Sequence, residues 1–191
     1  EALWPYPQVD VICATSLVVN EAGQRIADEG HGGIYIANAI AKCGTPLGIT
    51  AIFDAAVWED AKTTDNVPPN PSLPDAGGTV IEAPTLEALA EKAGIDARGL
   101  AATIEAYNAH LANGKSGNAL DTLTPPGTQT TYTAQPVSQP PFYAIPVCAG
   151  ITVTSGGIAI NGKGQVLDTD DNPIPGLYAA GSAIGGLEGG N

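Results

Sequence analysis

Apolar and polar residues along the chain follow patterns that predict a series of short strands and helices. The apolar triplet 17–19 is followed by the turn-forming residues Asn20 and Gly23 and by a second strand-like stretch at 25–26, which predicts a β-hairpin. Between 34 and 42, apolar residues recur at helical spacing. Further strands are predicted at 48–54 and 79–82, and a short helix at 55–62, while residues 142–147 are again apolar.

Two further helices have recognisable start and stop residues. Thr85 precedes the first and Gly94 follows it, while Asp96 precedes the second and Gly114 follows it. Threonine and aspartate side chains accept hydrogen bonds from the free N–H groups at a helix start, and glycine readily adopts the left-handed conformation that ends a helix. We therefore predict one helix between each pair. Tyr107 lies on the apolar stripe of the second helix, so we expect a structural role for it.

Proline and glycine divide the chain into two parts. Residues 66–78 hold four prolines and two glycines and predict a surface loop. Residues 115–141 are rich in Gly, Ser, Thr, Gln and Pro and predict a tether or a wrapping loop. We therefore expect an α+β fold with a boundary near 141. Residues 1–141 would form a small unit of helices with a short antiparallel sheet, and residues 142–191 a strand-rich part of a different domain.

A glycine cluster precedes the helix predicted from residue 34. Gly30, Gly32 and Gly33 surround His31. A cluster of this kind at a helix amino terminus can hold an anion or lie close to a ring, and entry into the helix explains it equally well. The spacing is not G-x-G-x-x-G after a parallel strand, so it does not predict a dinucleotide phosphate site.

Composition and charge disfavour some classes of binding partner. Twenty acidic and seven basic residues give a net charge of -13, which disfavours nucleic acid and anionic membrane surfaces as partners. No apolar run approaches the ~20 residues that a membrane span needs. Arg25 and Arg98 are the only arginines, and arginine is the usual partner of a bound carboxylate. A site for a dicarboxylate would therefore have few arginine side chains with which to bind it.

The cysteines and the absence of methionine lead to two further expectations, one about thiols and one about the extent of the chain. Cys13, Cys43 and Cys148 stand at wide spacings, with neither a C-x-x-C motif nor a histidine at metal-ligand spacing. This pattern favours buried free thiols over a disulfide and predicts no metal site. The chain begins at Glu1 and holds no methionine, so we expect it to be a fragment of a longer protein.

The strongest motif lies at residues 154–182. Two short apolar runs there end in glycine, as do strands that bring bare backbone to a flat or phosphorylated ligand. The pattern T-x-G-G-I-x-I-N-x-x-G-x-V-L-D-T-x-x-x-P-I-P-G-L-Y-A-A-G resembles the closing segment of the flavin domain in the fumarate reductase and succinate dehydrogenase flavoprotein superfamily, which includes ketosteroid dehydrogenases. The resemblance extends upstream to residues 20–25 and covers most of the chain.

The resemblance implies FAD as cofactor and a particular domain arrangement. In this family a capping domain interrupts a Rossmann-like FAD-binding domain, and the substrate lies between the cap and the flavin. By this resemblance, residues 1–141 are the cap and 142–191 the returning segment of the FAD domain. The partner is then the remainder of the flavin domain, in the same precursor or in a partner chain. The residues at the positions of the family's cofactor contacts are Val153, Thr154, Ser155, Gly156, Gly157, Gly181, Ser182, Gly185 and Gly186, with Ser182 standing where many relatives have glutamate.

Departures from the family concern the substrate. Members that reduce fumarate carry a histidine pair just before T-x-G-G, where this chain has Thr152 and Val153, and an arginine proton donor where it has Gly33. Their T-E-x-x-R motif has no counterpart between Pro5 and Thr15. We therefore expect a neutral or weakly polar small-molecule substrate, such as a ketone or an enone, with Gly33 and Thr152 as substrate contacts.

Three residues are candidates for catalysis in such a site, namely His31, Tyr35 and Tyr143. Histidine side chains exchange protons near neutral pH, and a tyrosine can polarise a ketone while the flavin accepts a hydride. The chain alone is expected to be inactive, because the segment with G-x-G-x-x-G is not in it. Two alternatives stay open: a non-catalytic α+β binding module or proteolytic fragment, and a subunit of a split flavoenzyme.

Overall fold

A computed structural model describes residues 17–31, 33–61, 72–75, 77–113, 134–150 and 156–184. The chain divides into two units, Glu1–Ala149 and Gly150–Asn191. The described part of the first unit combines helices with an antiparallel sheet, and that of the second is built mainly from short strands. The expectation of a mixed helix and strand protein with antiparallel sheet is confirmed.

The first unit is organised around a four-stranded sheet. Its strands are β1 (Leu17–Val19), β2 (Ile49–Asp54), β3 (Ile81–Ala83) and β4 (Phe142–Val147). They lie in the order β1-β2-β4-β3, and every neighbouring pair is antiparallel. The helices are α1 (Gly33–Lys42), α2 (Ala55–Ala61), α3 (Ser72–Asp75), α4 (Leu86–Ala93) and α5 (Ala97–Asn113). The strands predicted at 48–54 and 79–82 and the helices predicted at 34–42 and 55–62 are confirmed to within one or two residues.

Helices cover both faces of the sheet. Successive side chains of a strand point to opposite faces, so Ile52 and Phe53 of β2 enter different cores. Ile52 packs with residues of α4 and α5, including Leu89 and Leu100. Phe53 packs with α2, and residues of β1 and β2 on the same face contact α1. Because both faces are covered, all six residues of β2 are buried.

The starts of α4 and α5 follow the predicted capping. Thr85 Oγ1 accepts a hydrogen bond from the Ala88 N–H at 3.2 Å, and Gly94 ends α4 in the left-handed conformation with φ 70°. Asp96 Oδ1 accepts a hydrogen bond from the Gly99 N–H at 2.6 Å at the start of α5. Both helices are therefore confirmed; the predicted stop residue Gly114 lies outside the described residues.

The hairpin predicted at residues 17–26 forms only in part. The turn is present, but the stretch after it makes a single bridge, between Val19 and Arg25, and β1 pairs with β2 instead. The turn packs against α5, since a Cβ atom added at Gly23, where φ is 71°, would lie 2.2 Å from the Leu100 nitrogen. Thr103 Oγ1 also donates a hydrogen bond to the Gly23 carbonyl at 2.6 Å. The turn is therefore held by contacts with α5 as well as by its own hydrogen bonds.

The division between the units differs from the boundary predicted near 141. β4 pairs with β2 along its whole length and with β3 on its other edge, so residues 142–147 belong to the sheet of the first unit. The first unit accordingly ends at Ala149. The apolar residues after 141 complete the first core, which composition alone does not reveal.

A buried carboxylate fixes the segment that leads into β4. Asp54 is fully buried at the end of β2. Its Oδ1 accepts hydrogen bonds from the N–H groups of Ala56 and Val57, at 3.0 and 3.3 Å. Its Oδ2 accepts hydrogen bonds from the N–H groups of Ser138 and Gln139, at 2.8 and 2.9 Å. One side chain therefore caps α2 and also holds the approach to β4.

The second unit contains β5 (Gln165–Leu167) and β6 (Pro173–Tyr178), which are antiparallel. In the turn between them, the N–H groups of Asn172 and Asp170 both donate to Asp168 Oδ1 at 2.9 Å, and these bonds lower the pKa of the Asp168 carboxyl. Every residue of β6 is exposed, so this sheet has an open face.

Two remaining expectations concern membranes and thiols. Within the described residues, no helix combines the length and apolarity needed to cross a membrane. Cys43 and Cys148 are free thiols, and Cys43 Sγ donates a hydrogen bond to the Ala39 carbonyl at 3.2 Å. The expectation of burial is wrong for Cys148, which is exposed where the chain leaves the sheet after β4. Cys13 lies outside the described residues.

Candidate functional site

The structure brings two predicted catalytic residues together at the start of α1. His31 ends a 3₁₀ turn (Glu29–His31), and Tyr35 lies on the first turn of α1. Their ring centroids are 4.7 Å apart, with 50° between the ring planes. The His31 side chain is 51% exposed and Tyr35 is 47% exposed. An imidazole and a phenol are therefore packed against each other while both stay accessible to a ligand.

A third member of this cluster is Asp28, which the sequence does not predict as a site residue. Asp28 Oδ2 lies 3.4 Å from His31 Nε2, and the Asp28 side chain is only 7% exposed. The His31 N–H also donates a hydrogen bond to the Asp28 carbonyl at 3.3 Å. The sequence gives one signal, an acidic residue three positions before a histidine. Such a spacing indicates a contact only when the two residues lie in a turn that brings their side chains together.

Gly33 is the first residue of α1 and is buried. The residue after it, Ile34, is among the most exposed apolar residues of the described chain, at 82%. The start of α1 thus exposes an aliphatic side chain as well as the phenol of Tyr35. The role of Gly33 as a substrate contact stays a prediction.

A buried ion pair supports the turn from beneath. The Arg25 guanidinium is paired with the Glu29 carboxylate, and both side chains are almost fully buried. Glu29 Oε1 also accepts a hydrogen bond from the Val18 N–H of β1 at 3.0 Å. These contacts tie the turn at 29–31 to the edge strand of the sheet, so the placement of His31 depends on them.

The Arg25–Glu29 pair also borders a buried phenol. Arg25 Cζ lies 6.0 Å from the centroid of the Tyr107 ring, and Tyr107 packs in the core formed with α4 and α5. Burial raises the pKa of the Tyr107 hydroxyl well above its ordinary range; the Glu29 charge raises it further and the Arg25 charge opposes both. Tyr107 therefore has the structural role that its position on the stripe predicts.

The third catalytic candidate, Tyr143, lies in a stack of aromatic rings. It is buried on β4 opposite Phe53 of β2, with ring centroids 5.5 Å apart, and its centroid lies 4.9 Å from that of Trp58 on α2. Burial raises the pKa of the Tyr143 hydroxyl, and the charges of Glu82 and Glu59 add to this shift. The described ring contacts join Tyr143 to this stack, whereas those of His31 join it to Tyr35. A catalytic role for Tyr143 stays a prediction.

In the second unit, the structure brings four predicted cofactor residues together. The Ile158 N–H donates a hydrogen bond to the Ala183 carbonyl at 2.9 Å, and Ile158 bridges Ile184 in parallel. Gly156 and Gly157, which precede Ile158, therefore lie close to the 3₁₀ turn (Gly181–Ala183) that contains Gly181 and Ser182. All four residues are exposed.

This arrangement leaves room for a ligand against bare backbone. A Cβ atom added at Gly156 or at Gly181 would meet nothing within 4 Å, and Gly181 has φ 67°, a conformation that side chains disfavour. An open, glycine-lined backbone fits the close approach of a flat ring or a phosphate. The other predicted contacts on this side, at 152–155 and 185–186, lie outside the described residues; they are Thr152, Val153, Thr154, Ser155, Gly185 and Gly186.

Comparison with known proteins identifies the family of the chain. The model of the family described as "FAD binding domain" matches residues 10–191. The NADH:fumarate oxidoreductase of Klebsiella pneumoniae (strain 342) is 32% identical over 176 residues, which cover 92% of this chain and 17% of that protein. The 4-oxocyclohexanecarboxylate 2-dehydrogenase of Sinomonas cyclohexanicum is 32% identical over 188 residues, which cover 88% of this chain and 31% of that protein.

A solved structure shows the same likeness. The 3-ketosteroid Δ1-dehydrogenase from Sterolibacterium denitrificans superimposes with a TM-score of 0.67 at 28% identity, covering 93% of this chain and 34% of that one. This chain therefore spans about a third or less of the length of each of these relatives. The resemblance seen in the sequence is confirmed: the chain belongs to the FAD binding domain family within the fumarate reductase and succinate dehydrogenase flavoprotein superfamily, for which FAD is the cofactor.

Proposed function

We propose that this chain is part of a larger FAD-dependent oxidoreductase that transfers a hydride between FAD and a neutral or weakly polar substrate, such as a ketone or an enone. In this proposal the first unit is the substrate cap and the second unit is the returning segment of a Rossmann-like FAD domain. The remainder of that domain is the partner of the second unit, whether it lies in the same chain or in another.

The observation that carries the substrate class is the chemistry at the start of α1. The exposed groups there are the His31 imidazole, the Tyr35 phenol and the Ile34 side chain, and Gly33 brings no charge. Of the two arginines in the chain, Arg25 is buried in its pair with Glu29. Arg98 lies on α5, which covers the opposite face of the sheet from α1. A dicarboxylate needs cationic partners, so this surface favours a neutral substrate.

The names of two relatives support the same class. One acts on a substituted oxocyclohexane and another on 3-ketosteroids, and both are named as dehydrogenases of a ring that carries a ketone. A cyclic ketone or enone has a flat, mostly apolar body and one hydrogen-bond acceptor. Ile34 and the face of Tyr35 offer apolar contact for that body, and the Tyr35 hydroxyl or His31 can donate to its oxygen.

The second unit fits the cofactor. FAD, when bound, supplies the hydride chemistry, while the protein supplies position and a proton path. Gly156, Gly157, Gly181 and Ser182 would hold it from the open backbone described above. The unit also exposes four large apolar side chains, namely Ile158, Ile174, Leu177 and Tyr178. Exposed apolar side chains in such number favour cover by further protein or ligand over a free-standing binding module.

The experiment is a test of flavin content and of substrate preference in the full-length protein. We expect about one FAD per protein by visible absorbance, and a higher kcat/KM for cyclohex-2-enone than for fumarate when reduced methyl viologen is the electron donor. A protein without flavin, or one that prefers fumarate, would contradict the proposal.

A matched pair of variants tests the cofactor site itself. Neither Gly156 nor Gly162 has any atom within 4 Å of an added Cβ, and both belong to the second unit. A valine should therefore be tolerated by the fold at either position. We expect Gly156→Val to lose FAD and Gly162→Val to keep it. Equal flavin content in the two variants would remove Gly156 from the cofactor site.

A further inference from the structure

His31 is held at two points by the same residue. Its backbone N–H donates to the Asp28 carbonyl at 3.3 Å, and its Nε2 lies 3.4 Å from Asp28 Oδ2. Asp28 is itself buried, so its carboxylate is largely shielded from solvent where it approaches the imidazole. A buried carboxylate beside an imidazole keeps a proton on the nitrogen that faces it.

The third side of the ring is fixed by Tyr35. The Tyr35 ring makes a tilted contact with the imidazole, with ring centroids 4.7 Å apart. With the Nε2 proton directed to Asp28, Nδ1 is the ring nitrogen that can serve a ligand. About half of the side chain is exposed, so a ligand at the start of α1 can reach it.

The other charged side chains of this turn make contacts away from the His31 ring. Glu29 accepts from Arg25 and from the Val18 N–H, and the Arg25–Glu29 pair is buried beneath the turn. The groups that face the His31 ring in the described contacts are Asp28 and Tyr35. Among these described contacts, Asp28 is therefore the carboxylate that lies nearest the imidazole.

We propose that Asp28 is a positioning residue that fixes the tautomer of His31, so that Nδ1 exchanges the proton that accompanies hydride transfer. This inference rests on the function proposed above. In the reducing direction His31 would start with protons on both ring nitrogens, and its Nδ1–H bond would break as that proton bonds to the substrate atom next to the carbon that is reduced; FAD, when bound, would supply the hydride. His31 then returns to the neutral form and keeps the proton on Nε2. In the oxidising direction Nδ1 takes that proton from the substrate.

The first test reads the tautomer without any turnover. ¹⁵N NMR of the full-length protein, labelled on histidine, reports which ring nitrogen carries the proton, and the signal lost in His31→Gln assigns the residue. We expect neutral His31 to carry its proton on Nε2 in the wild type, and this preference to weaken in Asp28→Asn. A neutral His31 protonated on Nδ1 would overturn the inference, whatever the protein's substrate proves to be.

The second test is a double-mutant cycle on turnover of cyclohex-2-enone. We expect His31→Gln to lower kcat by about 100-fold and Asp28→Asn by about tenfold, with little change in KM. The double variant should be no slower than His31→Gln, because Asp28 acts only through His31. If the double variant lost kcat by the product of the two single losses, the inference would be overturned.

The variant Asp75→Asn, at an exposed site, is the control for stability. If Asp28→Asn does not fold, Asp28→Glu replaces it in the cycle. If the wild type holds no FAD or does not turn over the enone, the proposed function fails, and the NMR result still decides the pairing of Asp28 with His31.

Discussion

A Cβ atom added at Gly99 would lie 1.9 Å from the carbonyl oxygen of Ala22, so α5 and the turn that follows β1 meet backbone to backbone. Gly23 makes the reciprocal approach to Leu100. The Asp96 N–H donates to the Glu21 carbonyl at 2.8 Å in the same contact. This contact fixes the turn between β1 and the Arg25–Glu29 pair, which in turn supports His31.

The close approach predicts that Gly99→Ala destabilises the first unit. Alanine ordinarily favours a helix over glycine by about 1 kcal/mol, but here the added methyl group overlaps the Ala22 carbonyl. We expect a net loss of about 1 to 3 kcal/mol in the free energy of unfolding, measured by urea denaturation of the full-length protein. Gly44→Ala is the control, because an added Cβ there meets nothing within 4 Å. If both variants were equally stable, the contact would be looser than the structure shows.

The hydrogen bonds of Asp54 predict a large effect from removing its carboxylate. Asp54→Ala leaves four backbone N–H groups without their acceptor, two of them in the segment that leads to β4. We expect a loss of about 3 kcal/mol or more, and a smaller loss in Asp54→Asn, which keeps one acceptor oxygen.

Hydrogen exchange locates this effect. The amides of Ser138 and Gln139 should exchange faster in Asp54→Ala, while Asp75→Ala, at an exposed site, leaves them unchanged. Unchanged protection of both amides in Asp54→Ala would contradict the role assigned to this carboxylate.

Tyr107 predicts that stability falls at alkaline pH. Its pKa is raised in the folded protein, whereas the unfolded chain releases the phenolic proton near pH 10. Above about pH 10 the unfolded state therefore binds fewer protons than the native state, and the free energy of unfolding decreases as the pH rises.

The Tyr107→Phe variant isolates this contribution. Urea unfolding between pH 8 and pH 11 should show a shallower decline for Tyr107→Phe than for the wild type, and comparison at pH 8 corrects for any change in packing. Parallel declines in the two proteins would show that Tyr107 is ionised as easily in the native state as in the unfolded state.

The left-handed glycines of the second unit predict a specific loss of flavin. Gly181 and Gly176 have φ 67° and 78°, and at both an added Cβ meets nothing within 4 Å. Alanine at either position therefore brings a similar backbone strain, of about 1 kcal/mol. Only Gly181 is a predicted cofactor contact.

We expect Gly181→Ala to retain less FAD than Gly176→Ala when the full-length proteins are purified in parallel and their visible absorbance is compared. Equal retention would assign the effect, if any, to backbone strain and would remove Gly181 from the cofactor site.

The sequence predicts those elements whose signals are local. Thr85, Gly94 and Asp96 act on the N–H and C=O groups of their own helix ends, so α4 and α5 follow from a few neighbouring residues. The glycines at 156 and 181 are proposed as cofactor contacts in the same way, from a contiguous motif. Local chemistry of this kind does not depend on the rest of the fold.

Features that depend on distant residues are not predicted. The second strand of the expected hairpin is reduced to one bridge, and the turn before it contacts α5, about 75 residues later in the chain. Tyr143 lies in an aromatic stack because β4 pairs with β2, almost 90 residues earlier. Asp28 gains its meaning for the site only when a turn brings it to His31. Each case is set by tertiary packing, which spacing along the chain does not encode.

The position of β4 bears on how the first unit assembles during synthesis. β3 has β4 as its sole partner in the described sheet, and β4 is the last strand of the unit to leave the ribosome. Until then β2 presents an unpaired edge and β3 has no strand to pair with, so the sheet cannot be completed progressively from its amino end. Its folding on the ribosome must therefore wait for a strand that arrives after nearly the whole unit has emerged.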